Sequence, residues 1–289
     1  MRKHFVGCQL FFSYVKIACN NNSKAMSKKS KEPAGIGSVE NGARLLACLA
    51  DMAGLKTLTA LASAAGMAPA KAHRYLTSLV RSGLVERDAL TGRYRLGPLS
   101  RQIGMATFHD MDAIRLTVPR LPQIRDVIGE TVVLVVWGHY GPTVVHTEEA
   151  RRAINLTIRP GSVLPVLQSA AGRVFSAWLP RTATEQHIAH ERAILRRSSR
   201  SNDHYNAQRF EAILDNVRKR GVARSAGEVY PGIFGLSTPI FDMSRSVVAA
   251  LATFSPTNVL RSNREEPIAR KLKAAGKQLT DLLAPPPSS

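Results

Sequence analysis

Between Thr57 and Gly97 the chain reads as two short helices separated by a tight turn and followed by a basic hairpin, an order that a winged helix-turn-helix satisfies and few other folds do. Gly66 marks the turn. It closes the apolar run Leu58, Leu61, Ala62 and Ala65, and without a Cβ it adopts the left-handed backbone that ends one helix and redirects the chain. Pro69 falls in the first turn of the next helix, where its missing amide would be unpaired in any case. In that helix Ala72, Leu76, Leu79 and Val80 recur at helical spacing toward a core, while Ala70, Lys71, Arg74, Thr77 and Ser78 share the opposite side. Lys71 and Arg74 are donors of the kind that read guanine edges or grip phosphates, and small Ala70 and Ser78 let the helix come close.

Gly83-Leu84-Val85 stops this helix and starts a strand, and Glu86 to Leu96 reads as two strands joined through Ala89-Leu90-Thr91-Gly92. Alternation is expected to place Arg87, Arg93 and Arg95 on one side of the wing and Tyr94 on the other. Taken singly, a charge such as Arg74 reads as well as a solvated surface residue. Turn, proline, basic helix face and basic hairpin together point to a DNA reader.

A chain of 289 residues is too long for one such module, so a second domain is expected. Its 40 Lys and Arg against 21 Asp and Glu are spread over the whole length, which attracts polyanions without conferring sequence preference. Cys8, Cys19 and Cys48 show neither obvious pairing nor metal spacing, Cys48 reads as core of the first helix, and a reducing cytoplasm is the natural setting. Residues 1–37 read as a disordered leader. Gln9, Ser13, Tyr14 and Lys16 interrupt its apolar run, no small-residue cleavage site follows, and Met26, ahead of a polar basic stretch, reads as the natural start. Ser38 is the expected cap of the first helix, and no stretch is apolar for long enough to span a membrane.

Beyond the winged helix-turn-helix domain, 38–98, residues 99–112 read as a linker helix carrying Leu99, Ile103 and Met105 to Phe108, and a GAF-like domain is assigned to 113–284, followed by a tail, 285–289. Ala113 to Gly129 has the apolar spacing of one helix, with Ile114, Val118, Leu121, Ile124, Val127 and Ile128. The period then changes to that of strands at Thr131 to Trp137, Thr143 to Thr147 and Ile154 to Ile158. Helices are expected at Leu167 to Trp178 and Gln208 to Lys219, and a closing hairpin at Ser237 to Phe241 with Val247 to Phe254. Helices beside an antiparallel sheet make an α+β domain.

From about Ser38 to near Leu283 the chain resembles the IclR-type transcriptional regulators. The resemblance rests on Pro69-Ala70-Lys71-Ala72-His73-Arg74, on the wing Gly92-Arg93-Tyr94-Arg95-Leu96-Gly97, on Pro160-Gly161 through Leu164-Pro165, and on Ser169-Ala170-Ala171-Gly172-Arg173-Val174. It extends to Pro239-Ile240-Phe241-Asp242 with Val248-Ala249-Ala250-Leu251, and departs from the family where the last turn, usually supplied with glycine, reads Met243-Ser244-Arg245-Ser246. The resemblance implies a GAF-like effector domain, a homodimer or homotetramer on a palindromic double-stranded operator, and DNA contacts from Ala70, Lys71, His73, Arg74, Thr77, Ser78, Arg93 and Arg95. It places a small-molecule effector, carboxylate or aromatic, among Ala153, Leu156, Ser169, Ala170, Ala171, Gly172, Ser225, Ile233, Gly235, Ala252 and Phe254. Ser225, Ala252 and Phe254 stand where polar residues are common, which implies an apolar pocket. The residues themselves allow an anion at the start of the helix after Ser169, through backbone amides and the helix dipole, while Leu156, Ile233 and Phe254 also read as plain core.

Other constellations carry less. His139, His146 and Glu148 flank one hairpin, but satisfied or surface histidines account for them, and no metal, cofactor or catalytic residue is assigned. Trp137, Tyr230 and Phe234 either stack on an aromatic effector or fill the core, and Arg192 to Arg200 reads as an exposed basic loop. No glycine-rich phosphate loop, Gly-x-Ser-x-Gly elbow or His-Glu-x-x-His occurs. Three readings stand: an effector-responsive transcription factor, an enzyme with an appended DNA-binding domain, and a nonspecific architectural nucleic-acid binder. The first accounts for both halves of the chain, the second lacks a polar catalytic pair, and the third rests on charge alone.

Overall fold

The computed structural model describes residues 35–51, 54–110, 112–151, 158–197, 206–257 and 265–283. The chain divides into two compact units, the first ending at Asp110.

In the first unit α1 (Gly37–Asp51), α2 (Leu58–Ala64) and α3 (Pro69–Arg81) are followed by β1 (Val85–Arg87), β2 (Tyr94–Leu96) and α4 (Pro98–Asp110). Thr57 caps α2, its hydroxyl accepting from the Ala60 amide at 3.2 Å. Gly66 has φ +62°, and the Met67 amide reaches back to the Ala62 carbonyl at 2.9 Å, so the turn closes as its glycine requires. Leu45, Cys48, Leu61, Leu76, Val85 and Tyr94 form one core, and each fully buried leucine there contributes about 1.5–3 kcal/mol of transfer free energy. The wing gains a third edge from Lys56, which exchanges backbone hydrogen bonds with Tyr94 at 2.9 and 2.7 Å. Ser38 is not the cap of α1. It lies inside the first turn, and the amides of Val39 and Glu40 are satisfied by the Ile36 carbonyl.

The second unit is built on an antiparallel five-stranded sheet of order β4-β3-β7-β6-β5, from β3 (Thr131–Gly138), β4 (Gly141–Glu148), β5 (Ala223–Ala226), β6 (Ile233–Phe241) and β7 (Val247–Pro256). Both faces are covered, which makes the whole an α+β fold. One face carries α7 (Ala170–Trp178) and α9 (Ala207–Arg220), with α8 (Arg181–Arg197) behind, around Val133, Val135, Phe175, Phe210 and Ala252. The other carries α5 (Asp112–Thr117), α6 (Leu121–Ile128) and α10 (Glu265–Leu283) around Leu134, Phe234, Leu251 and Leu272. Strand period two explains the split, since neighbours such as Val133 and Leu134 point to opposite cores.

Several elements differ from expectation. The stretch 113–129 is not one helix, because Pro119 and Pro122 supply no amide. It breaks into α5, a 3-10 turn Val118–Arg120, and α6. Helix α7 starts at Ala170 rather than Leu167, because Ser169 in extended backbone caps it. The basic stretch from Arg192 is helical as far as Arg197, where the described part ends. The expected strand residues 154–157, the leader to residue 34, Cys8, Cys19, Met26 and the tail lie outside the described residues.

The glycine-free turn closing β6 and β7 is held by Asp242, whose Oδ1 accepts from the Ser246 amide at 2.9 Å and the Ser244 hydroxyl at 2.7 Å. Those bonds hold its carboxyl below the usual range. Arg245 takes the left-handed conformation there, φ +60°. That conformation costs an L-residue about 1–2 kcal/mol, and glycine's larger unfolded-state entropy costs about 0.5–1 kcal/mol. Arg245→Gly is therefore expected to raise stability by roughly 0.5–1 kcal/mol in urea titration, and an unchanged or lower midpoint would show that Asp242 already absorbs the strain.

Candidate nucleic-acid interface and small-molecule site

Helix α3 buries Ala72, Leu76 and Leu79 and turns Ala70, Lys71, His73, Arg74 and Ser78 outward, with Thr77 half-buried beside them. Pro69 opens the helix behind Ala68, whose side chain makes no capping bond. The hydroxyls of Thr77 and Ser78 donate to the carbonyls of His73 and Arg74 at 2.9 and 3.3 Å, a local bond that each exchanges readily for an outside acceptor. Three donors, Lys71, His73 and Arg74, between short side chains make the kind of face that can enter a groove and reach both phosphate and base edges.

The wing is arranged differently from the simple alternation. Arg87 pairs across the ribbon with Tyr94, and its guanidinium lies 5.7 Å from the centre of that ring while Nε donates to the Gly92 carbonyl at 3.2 Å. Arg95 sits opposite Glu86 and grips it with two bonds, 2.7 and 3.2 Å. Directly opposed residues of an antiparallel pair share a face, so Arg87 belongs to the side of Tyr94 and only Arg93 and Arg95 share the other. The guanidinium of Arg95 holds Glu86 below the usual carboxylate range, so Arg95 is already partnered on the protein surface. Arg93, exposed, stands just before β2 in a turn that Asp88 organises by accepting from the amide and hydroxyl of Thr91, each at 2.7 Å.

In the second unit the strand register brings the expected ligand residues into rows. Ser225 faces Gly235, Gly235 faces Phe254, and Phe254 faces Thr131, while Ser237, Ala252 and Val133 form the next row on the same face. Ala170, Ala171 and Ala252 are buried in the core of that face with Phe254 packed against it, and Ile233 lies half-buried at the start of β6. Ala153 and Leu156 lie outside the described residues. Ser169 and Gly172 are a correction to a freely offered helix start. The Ser169 hydroxyl donates to Pro165 O at 2.5 Å and accepts from the Gly172 amide at 2.9 Å, so both groups are committed within the chain. A Cβ at 172 would stand 2.4 Å from the carbonyls of Pro165 and Val166, so glycine is required there for close packing and presents no wall to a ligand. Phe234 is also removed from any stack with Trp137. It lies in the core of the opposite face, whereas Trp137 packs edge-on to His187 and against Phe175.

Two buried ionisable groups flank this helix start. Glu191 of α8 is 1% exposed; its Oε2 accepts from the amides of Val166 at 2.6 Å and Leu167 at 3.0 Å, and its Oε1 has no hydrogen-bond partner among the described residues. Arg173 of α7 donates through Nε to Leu167 O at 2.9 Å, through Nη1 to Arg224 O, and through Nη2 to Glu228 at 2.9 Å. None of the three, Glu191, Arg173 or Glu228, is distinguishable in the sequence from a solvated charge. His146 bonds Glu148 at 2.8 Å with Arg125 beside it, and among the described residues no group of His, Cys, Asp or Glu is placed to hold a metal. No helix among the described residues is long and apolar enough to cross a membrane.

A basic, outward helix face beside a wing, on a small helical core followed by an α+β unit, defines a winged helix-turn-helix DNA-binding protein. The IclR helix-turn-helix domain matches residues 38–89, and the bacterial transcriptional regulator IclR C-terminal domain matches 105–281. The glycerol operon regulatory protein of Streptomyces coelicolor is 31% identical over 221 residues, covering 75% of this chain and 83% of that protein. The crystal structure of Pseudomonas aeruginosa HmgR is 33% identical, with a TM-score of 0.54, over 86% of this chain and 98% of that one. An IclR homolog from Microbacterium hydrocarbonoxydans, solved with 4-hydroxybenzoate, shares the fold at 20% identity and a TM-score of 0.68, over 85% and 98% of the chains. The chain belongs to the IclR family of DNA-binding transcriptional regulators.

Burial pushes the Glu191 carboxyl up from 4.5 to about 7, against the opposing pull of the Leu167, Val166 and Gln168 amides and the charge of Arg173. A folded-state value above the unfolded one makes the contribution of this group greatest below the unfolded value of 4.5, and it is lost as the pH rises through about 7. Glu191→Gln stays neutral throughout. Its melting temperature relative to the parent is expected to improve steadily from about pH 5 to about pH 8. A difference independent of pH would show that Glu191 ionises normally.

Proposed function

We propose that the protein is an effector-responsive regulator that binds a palindromic operator as a homodimer or homotetramer in the cytoplasm, with α3 in the major groove and the wing along the backbone. The observation that carries this reading is the single outward face of α3, where Lys71, His73 and Arg74 stand on a helix whose other side is buried. One reader of this size has a small footprint, and two related by a twofold axis gain affinity by acting together on paired half-sites. Arg74 is assigned to base edges and Arg93 to phosphate. Arg74→Ala is then expected to cost about 1–3 kcal/mol at the operator and to relax base preference, whereas Arg93→Ala lowers affinity for all DNA alike. Binding titrations on operator and scrambled DNA separate the two, and equal unselective losses would demote Arg74 to a phosphate contact.

The effector is assigned to the face of the sheet bearing Ser225, Gly235, Ala252 and Phe254 beneath the start of α7. Small side chains and one aromatic ring suit a compact carboxylate with an apolar body. The 4-hydroxybenzoate held by the Microbacterium homolog supports that class. A ligand that binds only the folded state raises its melting point, by about 2.7 kcal/mol of stability at a hundred times Kd. A thermal-shift series of small aromatic and aliphatic carboxylates should produce one or more upward shifts. A flat response across the series would overturn the assignment.

A further inference from the structure

Arg173 is a buried cation whose carboxylate partner stands on a connecting loop with a glycine at each end. Its side chain is 6% exposed, and two of its three bonds go to the backbone carbonyls of Leu167 and Arg224, which belong to the framework of the site. The third goes to Glu228, 29% exposed, on the loop that joins β5 to β6. That loop begins at Gly227 and ends at Gly232, both at φ +79°, and closes at its base through the Gly227 amide and the Ile233 carbonyl at 2.9 Å. Glycines at both ends, in a conformation other residues resist, leave the backbone free to re-orient there, against the bonds from the Ala226 amide to Glu228 and from the Thr257 amide to the Gly232 carbonyl at 2.8 Å. The loop leaves the sheet directly beside Ser225 and re-enters it at Ile233, at the end of the rows assigned to the effector.

A guanidinium so far from water needs a carboxylate, because a buried charge left alone is strongly destabilising. Carbonyls share its donors without neutralising it. We propose that Glu228 is an internal carboxylate that competes with a carboxylate effector for Arg173: the ligand takes the guanidinium as its counter-ion, and the displaced Glu228 carries residues 227–232 away from the sheet edge. The inference rests on the assignment of this face as the effector site, and it adds the counter-ion and the moving part. Preference for an anion follows, since a neutral ligand that dislodged Glu228 would take away the carboxylate bonded to the guanidinium and leave it only the more distant charge of Glu191. A link to the rest of the unit follows as well, because β5 and β6 are tied to each other through Ser225 and Gly235 and the loop is the connection between them.

The test is calorimetric titration of the full chain and of Glu228→Gln with 4-hydroxybenzoate and with 4-hydroxybenzamide, its neutral counterpart. Removing the competing charge raises the share of protein with Arg173 accessible, and if the latch is closed nine times in ten the apparent affinity for 4-hydroxybenzoate rises roughly tenfold. 4-Hydroxybenzamide, which cannot replace Glu228 as the counter-ion, is expected to bind the parent more weakly than 4-hydroxybenzoate does. In the parent, 4-hydroxybenzoate is also expected to speed amide exchange in residues 227–232, a measurement that needs no variant. Unchanged or weaker binding of 4-hydroxybenzoate by Glu228→Gln, or slower exchange in that loop, overturns the latch while leaving the ligand assignment standing. If neither protein binds 4-hydroxybenzoate, the ligand assignment has failed and the latch falls with it.

Discussion

Helix α7 approaches the backbone at Pro165 and Val166 so closely that only a hydrogen fits on the Cα of residue 172. The contact sets the height of the helix above the sheet, and with it the depth of the face where Ser225, Gly235 and Phe254 lie in register. It also imposes a problem of its own. A loop pressed under a helix start has amides and carbonyls that water cannot reach, and each left unpaired costs about 1–3 kcal/mol. The chain answers with one buried carboxyl and one buried guanidinium. Glu191 accepts from the amides of Val166 and Leu167, and Arg173 donates to the Leu167 carbonyl. Both ionisable residues follow from the close approach made by one glycine.

The reader is governed by a different economy. Its core is small, and everything that confers specificity must sit outside it on a helix held from behind by Ala72, Leu76 and Leu79. Position is therefore secured by turn and cap rather than by bulk: Thr57 fixes the start of α2, Gly66 the corner and Pro69 the entry to α3. Lys56, bonded on both sides to Tyr94, ties the wing to the same core. The internal pairing of Arg95 with Glu86 belongs to this logic as well. An exposed pair of this kind is worth little to stability, but it orients the ribbon while Arg93 stands exposed at its turn.

How much of this was legible in the sequence depended on whether the burying face was apolar. Helix α3, β3 and the hairpin of β6 and β7 announce themselves because Leu76, Val133 and Leu251 recur with the period of their element. Helix α8 does not. Its inward positions are Thr184, Ile188 and Glu191, two of them polar, on a helix whose other residues are mostly charged, polar or small, so its period resembles that of a solvated stretch. The same disguise hides Arg173 and Glu228 as site residues, because nothing in a sequence distinguishes a buried guanidinium from an exposed one. Helix α10 is the opposite case, since Ile268, Leu272, Ala275 and Leu279 with Glu265 and Glu266 in the first turn carry a plain helical signal that went unread. The reversed side of Arg87 followed from counting alternation along one strand, when the pairing partner across the ribbon decides the face.

The two units solve recognition in opposite ways, and this bears on how one can influence the other. The DNA face is exposed, cationic and preformed, so its intrinsic affinity depends little on packing. The face proposed for the ligand is buried, and Arg173 beside it is already paired with Glu228 inside the protein. A ligand can alter DNA binding only to the extent that it prefers one conformation over another, and a face already filled by its own charges has conformations to choose between. A pocket lined only by carbon would admit an effector by simple addition and leave its surroundings unchanged. One in which a guanidinium holds an internal carboxylate, as Arg173 holds Glu228, could admit an anion only by an exchange of partners. On the proposed reading, the buried charges around α7, costly to stability on their own, are what would make binding at this face a structural event.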